Sequence, residues 1–157
     1  VLYSSPIPGR RLEIAGARIT PFEAPHDERT AGGDTRHVPS TGYWVETTGG
    51  NYLLPGDIRT YDPTCLKPFL PVSAVFAHVF LGRSAALAAH PPLAEAFVDF
   101  YRFCRPKKIV LAHLYEFGRD PEDCWISAHA RMVETRCHAV DPGIEMTTPE
   151  WFQETSL

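Results

Sequence analysis

The sequence has no stretch near the ~18 uninterrupted apolar residues that a membrane-spanning helix requires, so no membrane partner is expected. It has no excess of positive charge either. Fifteen Lys and Arg against nineteen Asp and Glu leave a net charge of −4, which argues against a protein that grips nucleic acid mainly by bulk charge. The one basic run, Arg105-Pro106-Lys107-Lys108, follows a predicted helix C-terminus, where the dipole favours cations, and is assigned no partner. Internal repeats and low-complexity segments are absent. No pair among Cys65, Cys104, Cys124 and Cys137 has the Cys-x-x-Cys spacing of a zinc knuckle or redox motif. Two of the four fall in predicted helices, and all read as reduced thiols of a cytoplasmic protein. The chain begins at Val1 rather than Met, and a fragment or processed product is expected from this.

What is present suits one globular domain. The length of 157 residues lies within the usual range for a single domain. The apolar share of 44% is ordinary and argues against disorder. The 15 prolines are scattered, which marks a loop-rich domain rather than a Pro-rich tract. Residues 1–10 read as an arm. Strands are predicted over Arg11–Ala15, Ala17–Ala24, Gly42–Thr48, Tyr52–Pro55, Val72–Ala77 and Ile109–Ala112. The turn Thr48-Gly49-Gly50-Asn51 makes the third and fourth of these a hairpin. Leu93, Ala96, Phe97, Phe100 and Cys104 recur at helical spacing and predict a helix over Pro91–Cys104. A second helix is predicted from Asp120 as N-cap and Pro121 as its first residue, continuing through Trp125, Ala128, His129, Met132 and Val133. The order is that of a layered α/β domain.

The informative pattern is where His and Asp fall. His26 follows the strand Ala17–Ala24, Asp57 follows Tyr52–Pro55, His78 follows Val72–Ala77, and His113 follows Ile109–Ala112. Sites in layered α/β folds form in loops beyond strand ends, where side chains from separate strands converge. Imidazole and carboxylate are donors suited to zinc, iron or manganese. Each residue alone has an ordinary structural reading, as a surface His or a turn Asp. His129, His90 and His138 are read as structural. Taken jointly, His26, Asp57 and His113 read as a candidate metal site.

The segments "FEAPHDE", "TGYWVETTGGNYLLPGD" and "IVLAHL" resemble, in order and spacing, the second half of a metallo-β-lactamase-fold hydrolase. The resemblance covers about two-thirds of the chain. It implies part of a four-layer αββα sandwich, with a mixed sheet and flanking helices. It also implies a metal-binding role for His26, Asp57 and His113, with Asp57 as a carboxylate bridging two ions, zinc first and iron or manganese as alternatives. The string "RHVPSTGY" resembles a segment of tRNA-maturing members in which a His before Gly-Tyr binds metal. His37 is therefore the second choice to His26 as ligand, or a group facing substrate. The superfamily's His-x-His-x-Asp-His motif is absent from these residues. A missing N-terminal half of the fold, or an oligomer partner, is expected to supply what it carries, and this chain alone is expected to bind metal weakly.

A metal-activated water attacking an ester-like or phosphoester bond is the chemistry so implied. Arg59, His78, Tyr115 and Arg119 lie in the segments after the strand ends and are the candidate substrate-binding residues. The arginines suit an anionic small molecule. Asp27, beside His26, is a candidate to orient its ring, or a turn residue. The alternative reading is a non-catalytic binding or assembly module that keeps the fold without metals. An iron-dependent oxygenase or a flavoprotein-linked reductase of the same fold stands last, since no flavin motif is present.

Overall fold

The aromatic and β-branched run around Gly42–Val45 forms strand β5 (Thr41–Thr47), which turns back into β6 (Gly50–Leu54) through the two residues Thr48 and Gly49. The Thr47 hydroxyl accepts the amides of Gly49 and Gly50 at 3.1 and 3.2 Å, which closes the turn. This hairpin sits in the middle of a computed structural model that describes residues 8–29 and 33–150. The remaining strands are β1 (Leu12–Ile14), β2 (Ala17–Glu23), β3 (Asp27–Arg29), β4 (Thr35–His37), β7 (Ala74–His78), β8 (Lys108–Ala112) and β9 (Glu145–Thr147). Two α-helices, α1 (Ala94–Phe103) and α2 (Ser127–Val140), and 3-10 turns at Pro63–Phe69 and Pro121–Asp123 complete the described elements.

Seven strands make one mixed sheet in the order β1-β2-β5-β6-β7-β8-β9, and β3 and β4 pair apart as a short ribbon. The β1-β2-β5-β6 half is antiparallel, and β6-β7-β8-β9 is parallel. Parallel neighbours need a crossover. α1 supplies it between β7 and β8, and α2 between β8 and β9. Leu53, Val75 and Ile109 stand side by side on three adjacent strands and are fully buried. Phe97, Phe100 and Tyr101 of α1 belong to the same core. Tyr61 packs its ring among these three, and its hydroxyl donates to the Phe80 carbonyl at 2.6 Å. The opposite face is less covered. Ile19, Val45 and Tyr52 there are half-buried, and Leu12, Ile14 and Leu54 are exposed.

The six predicted strands all form, with ends shifted by one or two residues. His78 is consequently the last residue of β7 rather than the residue after it. Both helices start later than the sequence suggests. Pro91 and Pro92 lie ahead of α1, which begins at Ala94. Asp120 and Pro121 open only the 3-10 turn, after which Cys124 is extended and α2 begins afresh at Ser127. Asp120 caps nothing with its side chain. The neighbouring Asp123 instead accepts the Ser84 amide at 2.6 Å. The start of α2 is capped by His129, whose Nδ1 accepts the Ile126 amide at 3.0 Å. The ribbon β3-β4 and the turn Pro63–Phe69 carry no clear periodicity and are not foreseen, whereas β9 is the strand expected to follow the second helix. Of the expected arm, residues 1–7 lie outside the described residues. The Gly9 amide donates to the Pro21 carbonyl at 2.7 Å.

Candidate metal centre

The loop after β2 and the loop after β6 are joined through their backbones. The Arg59 amide donates to the Pro25 carbonyl at 3.0 Å, and the Val38 amide to the His26 carbonyl at 2.8 Å. Gly56 makes the approach feasible. Its φ is +75°, and a Cβ there would lie 2.7 Å from the Thr41 carbonyl oxygen, so only glycine fits. The fully buried Ile58 anchors the other side of Asp57. The outcome is that His26 Nε2 stands 3.5 Å from Asp57 Oδ2 and 3.5 Å from Glu28 Oε1.

Arg59 closes this cluster from beneath. Its side chain is 7% exposed, with Nη2 3.1 Å from Asp57 Oδ2 and Nη1 3.3 Å from Glu28 Oε1. It lies over the Phe80 ring at 5.0 Å. Arg83 reaches Glu28 at 4.0 Å. Burial by itself would raise the Asp57 pKa. The Arg59 charge and hydrogen bond, helped by His26 and His113, more than offset this and hold Asp57 ionised below the usual carboxylate range.

His113 follows β8 in the left-handed region, φ 66°, and Tyr115 does the same at φ 56°. Such conformations cost energy for a residue with a side chain and mark a turn fixed by its surroundings. The Val79 amide on the Ala112 carbonyl (3.0 Å) and the Tyr115 amide on the Trp125 carbonyl (2.8 Å) do the fixing. His113 Nε2 faces Glu116 Oε2 at 3.3 Å, and Arg119 Nε donates to that same oxygen at 2.7 Å. A carboxylate behind one ring nitrogen leaves the other, Nδ1, as the lone-pair atom. The His78 and His113 rings are stacked at 5.0 Å and 8°. Burial first, and then His113, push His78 below its ordinary pKa against the pull of Asp57, so its ring is neutral at pH 7.

Five polar atoms of this region are buried without a hydrogen-bond partner: the Arg59 Nε–H, which no metal takes, and the donor atoms His26 Nε2, Asp57 Oδ1, His78 Nδ1 and His113 Nδ1. Buried polar atoms are nearly always satisfied, so such a set calls for a ligand. The chemistry of the donor atoms, three imidazole nitrogens and a carboxylate oxygen, fits a divalent transition-metal ion. They are not closed around one point. Among the described residues, no three His, Cys, Asp or Glu side chains form a group able to hold an ion.

The structure thus brings His26 to Asp57, and His113 to His78 and Glu116. His37 lies beside the His26–Asp57 pair, opposite Asp27 in the exposed ribbon, with Nε2 2.9 Å from Glu23 and Nδ1 3.3 Å from Asp27. Asp27 also accepts from the Thr60 hydroxyl at 3.1 Å. Arg59 and Arg119 both face carboxylates of the protein. The Tyr115 hydroxyl is tied to Ser127, 2.7 Å from its oxygen. A cavity of about 850 Å³ opens beside His113, lined by Phe76, Val110, Leu114, Tyr115, Arg131 and Met146 among others. Glu28 and Glu116 are members that the sequence reading passes over. Glu28 stands two residues from His26 in extended chain, which puts both side chains on one side. That spacing is the signal that could have found it.

No protein-family model matches this chain, and no curated protein matches it in sequence. Solved structures do match it in fold. The metallo-β-lactamase-fold protein YhfI from Bacillus subtilis superimposes with a TM-score of 0.59 over 90% of this chain and 51% of its own, at 11% identity. A metallo hydrolase from the archaeon Ignicoccus hospitalis gives 0.57 over 92% of this chain and 56% of its own, at 15% identity. CmlA, a diiron β-hydroxylase from Streptomyces venezuelae, gives 0.58 over 90% of this chain and 32% of its own, at 17% identity. The chain therefore spans about half the length of the first two and a third of CmlA. The mixed sheet, its two crossover helices and these superpositions together assign this chain to the metallo-β-lactamase fold.

Proposed function

We propose that the chain is part of a metal-dependent hydrolase that cleaves an ester-like or phosphoester bond of a small molecule. The observation that carries this reading is the set of bare, buried donors at the strand ends, His26 Nε2, Asp57 Oδ1 and His113 Nδ1. These three would hold the metal, with zinc as the first candidate and iron or manganese as alternatives. A divalent ion in such a site supplies Lewis acidity and a bound hydroxide at neutral pH. The protein's own part is positional. Asp57 stays ionised because Arg59 lies against it. His113 offers Nδ1 because Glu116, itself held by Arg119, takes the other nitrogen. The neutral His78 ring stacks on His113 and limits its rotation.

The cavity beside His113 gives the non-reacting part of a substrate a place, with Phe76, Val110 and Met146 as apolar lining and Arg131 for an anionic group. Tyr115 lines that cavity and remains a candidate substrate contact. Arg59 and Arg119 serve the site better through Asp57 and Glu116 than through substrate. The half-covered sheet face of Val45, Tyr52 and Leu54 suits packing against the rest of a sandwich or against an oligomer partner. Among the described residues, no helix is long and apolar enough to cross a membrane.

The test is turnover of a generic phosphodiester and a generic lactone by the intact protein, with and without a chelator. Chelator-sensitive hydrolysis of either, restored by added metal and lost in Asp57→Asn, is expected. A second reading, a binding module that keeps the fold without metal, is favoured by one observation. The Arg59 guanidinium already neutralises Asp57 and Glu28 in the way a cation would. That reading predicts no chelator-sensitive turnover of either substrate.

A further inference from the structure

Arg59 stands out because its side chain is buried and both of its Nη atoms face carboxylates of the protein, while Nε is buried without a partner. A guanidinium on a side chain that is 7% exposed has lost nearly all its water, and it persists only where carboxylates or π faces replace that water. Here Asp57 takes Nη2, Glu28 takes Nη1, and Phe80 lies against the plane. Its amide on the Pro25 carbonyl also fixes the backbone beside His26. The two Asp57 oxygens are consequently unequal. Oδ2 is held by Arg59, whereas Oδ1 is buried with no partner.

We propose that Arg59 is a positioning residue that pins Asp57 by Oδ2, so that the carboxylate presents Oδ1 alone to a metal ion. Glu28 holds the guanidinium from the other side, and it also stands 3.5 Å from His26 Nε2. This rests on the metal-dependent reading above and adds to it a residue that touches neither metal nor substrate. Free carboxylates rotate and offer either oxygen or both. A pinned one meets the ion in one geometry and loses less freedom on binding. Outer partners of metal ligands typically carry about 10–100-fold of the affinity.

The experiment uses the intact protein. Zinc affinity is measured by competition with a chromogenic chelator, and the cobalt-substituted protein supplies a d–d absorption spectrum. Arg59→Met keeps the length of the stem and removes the donors, Arg59→Lys keeps a charge without the fork, and Glu28→Gln frees the guanidinium from the other side. Phe97→Val serves as a control that loosens the core without touching Arg59, Asp57 or Glu28. The expected result is zinc binding about 10–100-fold weaker in Arg59→Met with an altered cobalt spectrum, partial recovery in Arg59→Lys, and a smaller loss in Glu28→Gln. Phe97→Val should lower the melting temperature without a comparable loss of zinc. Arg59→Met affinity within about threefold of the parent, with an unchanged cobalt spectrum, would overturn the proposal. If Arg59→Met does not fold, Arg59→Lys decides, since it keeps the charge and the stem and removes only the fork on Asp57. Unchanged zinc affinity there overturns the proposal equally. A parent protein that binds neither zinc nor cobalt overturns the metal reading itself, an outcome distinct from a parent that binds and variants that do not differ.

Discussion

His129 does at the residue scale what no amount of periodicity reveals. It is 8% exposed, its Nδ1 caps the start of α2, and its Nε2 donates to the Ala86 carbonyl at 2.7 Å. Both ring nitrogens are used, so the neutral ring protonated on Nε2 satisfies both partners. His129→Ala leaves the buried Ala86 carbonyl and the Ile126 amide without partners. The expected loss is about 2–4 kcal/mol, from two unsatisfied groups at ~1–2 kcal/mol each, read from urea denaturation. A loss below about 0.5 kcal/mol would show that water replaces the ring at no cost. The same scale explains what was legible at the site. His26, Asp57 and His113 could be picked out because each sits where an apolar strand stops. Their partners could not. Arg59 to Glu28 and Ser84 to Asp123 are contacts between loops 31 and 39 residues apart in sequence, and nothing local records them. Nor does anything local record that Arg59 and Arg119 face the protein's own carboxylates.

At the scale of the element, strands read well and helix starts did not. Strand identity is written in runs such as Tyr43-Trp44-Val45, whose alternation survives any tertiary context. A helix start depends on what satisfies its first amides. Asp120-Pro121 has the composition of a start, yet α2 takes its cap from a histidine three residues inside itself. α1 carries the clearer stripe, and its packing is testable. Phe97 is fully buried against Tyr61 and Tyr101. Phe97→Ala should cost about 3–5 kcal/mol, measured by thermal or denaturant unfolding, and a change near zero would remove α1 from the core. The thiols make a second check. Burial pushes Cys104 up to about 12 and Cys65 and Cys137 up to about 11. The thiolate is the reactive form, and at pH 8 it is at most roughly one part in a thousand at these three positions. Iodoacetamide should leave Cys65, Cys104 and Cys137 largely unmodified in the native protein at pH 8 and label them all in denaturant, as read by mass spectrometry. Rapid native labelling of Cys104 would contradict its burial beneath α1.

At the scale of the molecule, one sheet with two crossover helices leaves an apolar face half covered. Leu12, Ile14 and Leu54 are 37%, 56% and 36% exposed on it. Apolar surface in such a contiguous patch normally meets a partner. In the proposed function that partner is the remainder of a sandwich or a second subunit, which brings further donors to the mouth formed by the strand ends. Among the described residues, His26–Asp57 and His78–His113 stand as two clusters rather than one closed cage. The measurement that tests the account most directly is the metal content of the intact protein after exhaustive dialysis against metal-free buffer, by plasma mass spectrometry, beside the variant His26→Ala/Asp57→Asn/His113→Ala. The account predicts at least one divalent transition-metal ion retained per chain in the parent and a drop of at least about tenfold in retention in the variant. A parent that retains no ion, or a folded variant that retains as much as the parent, would contradict it.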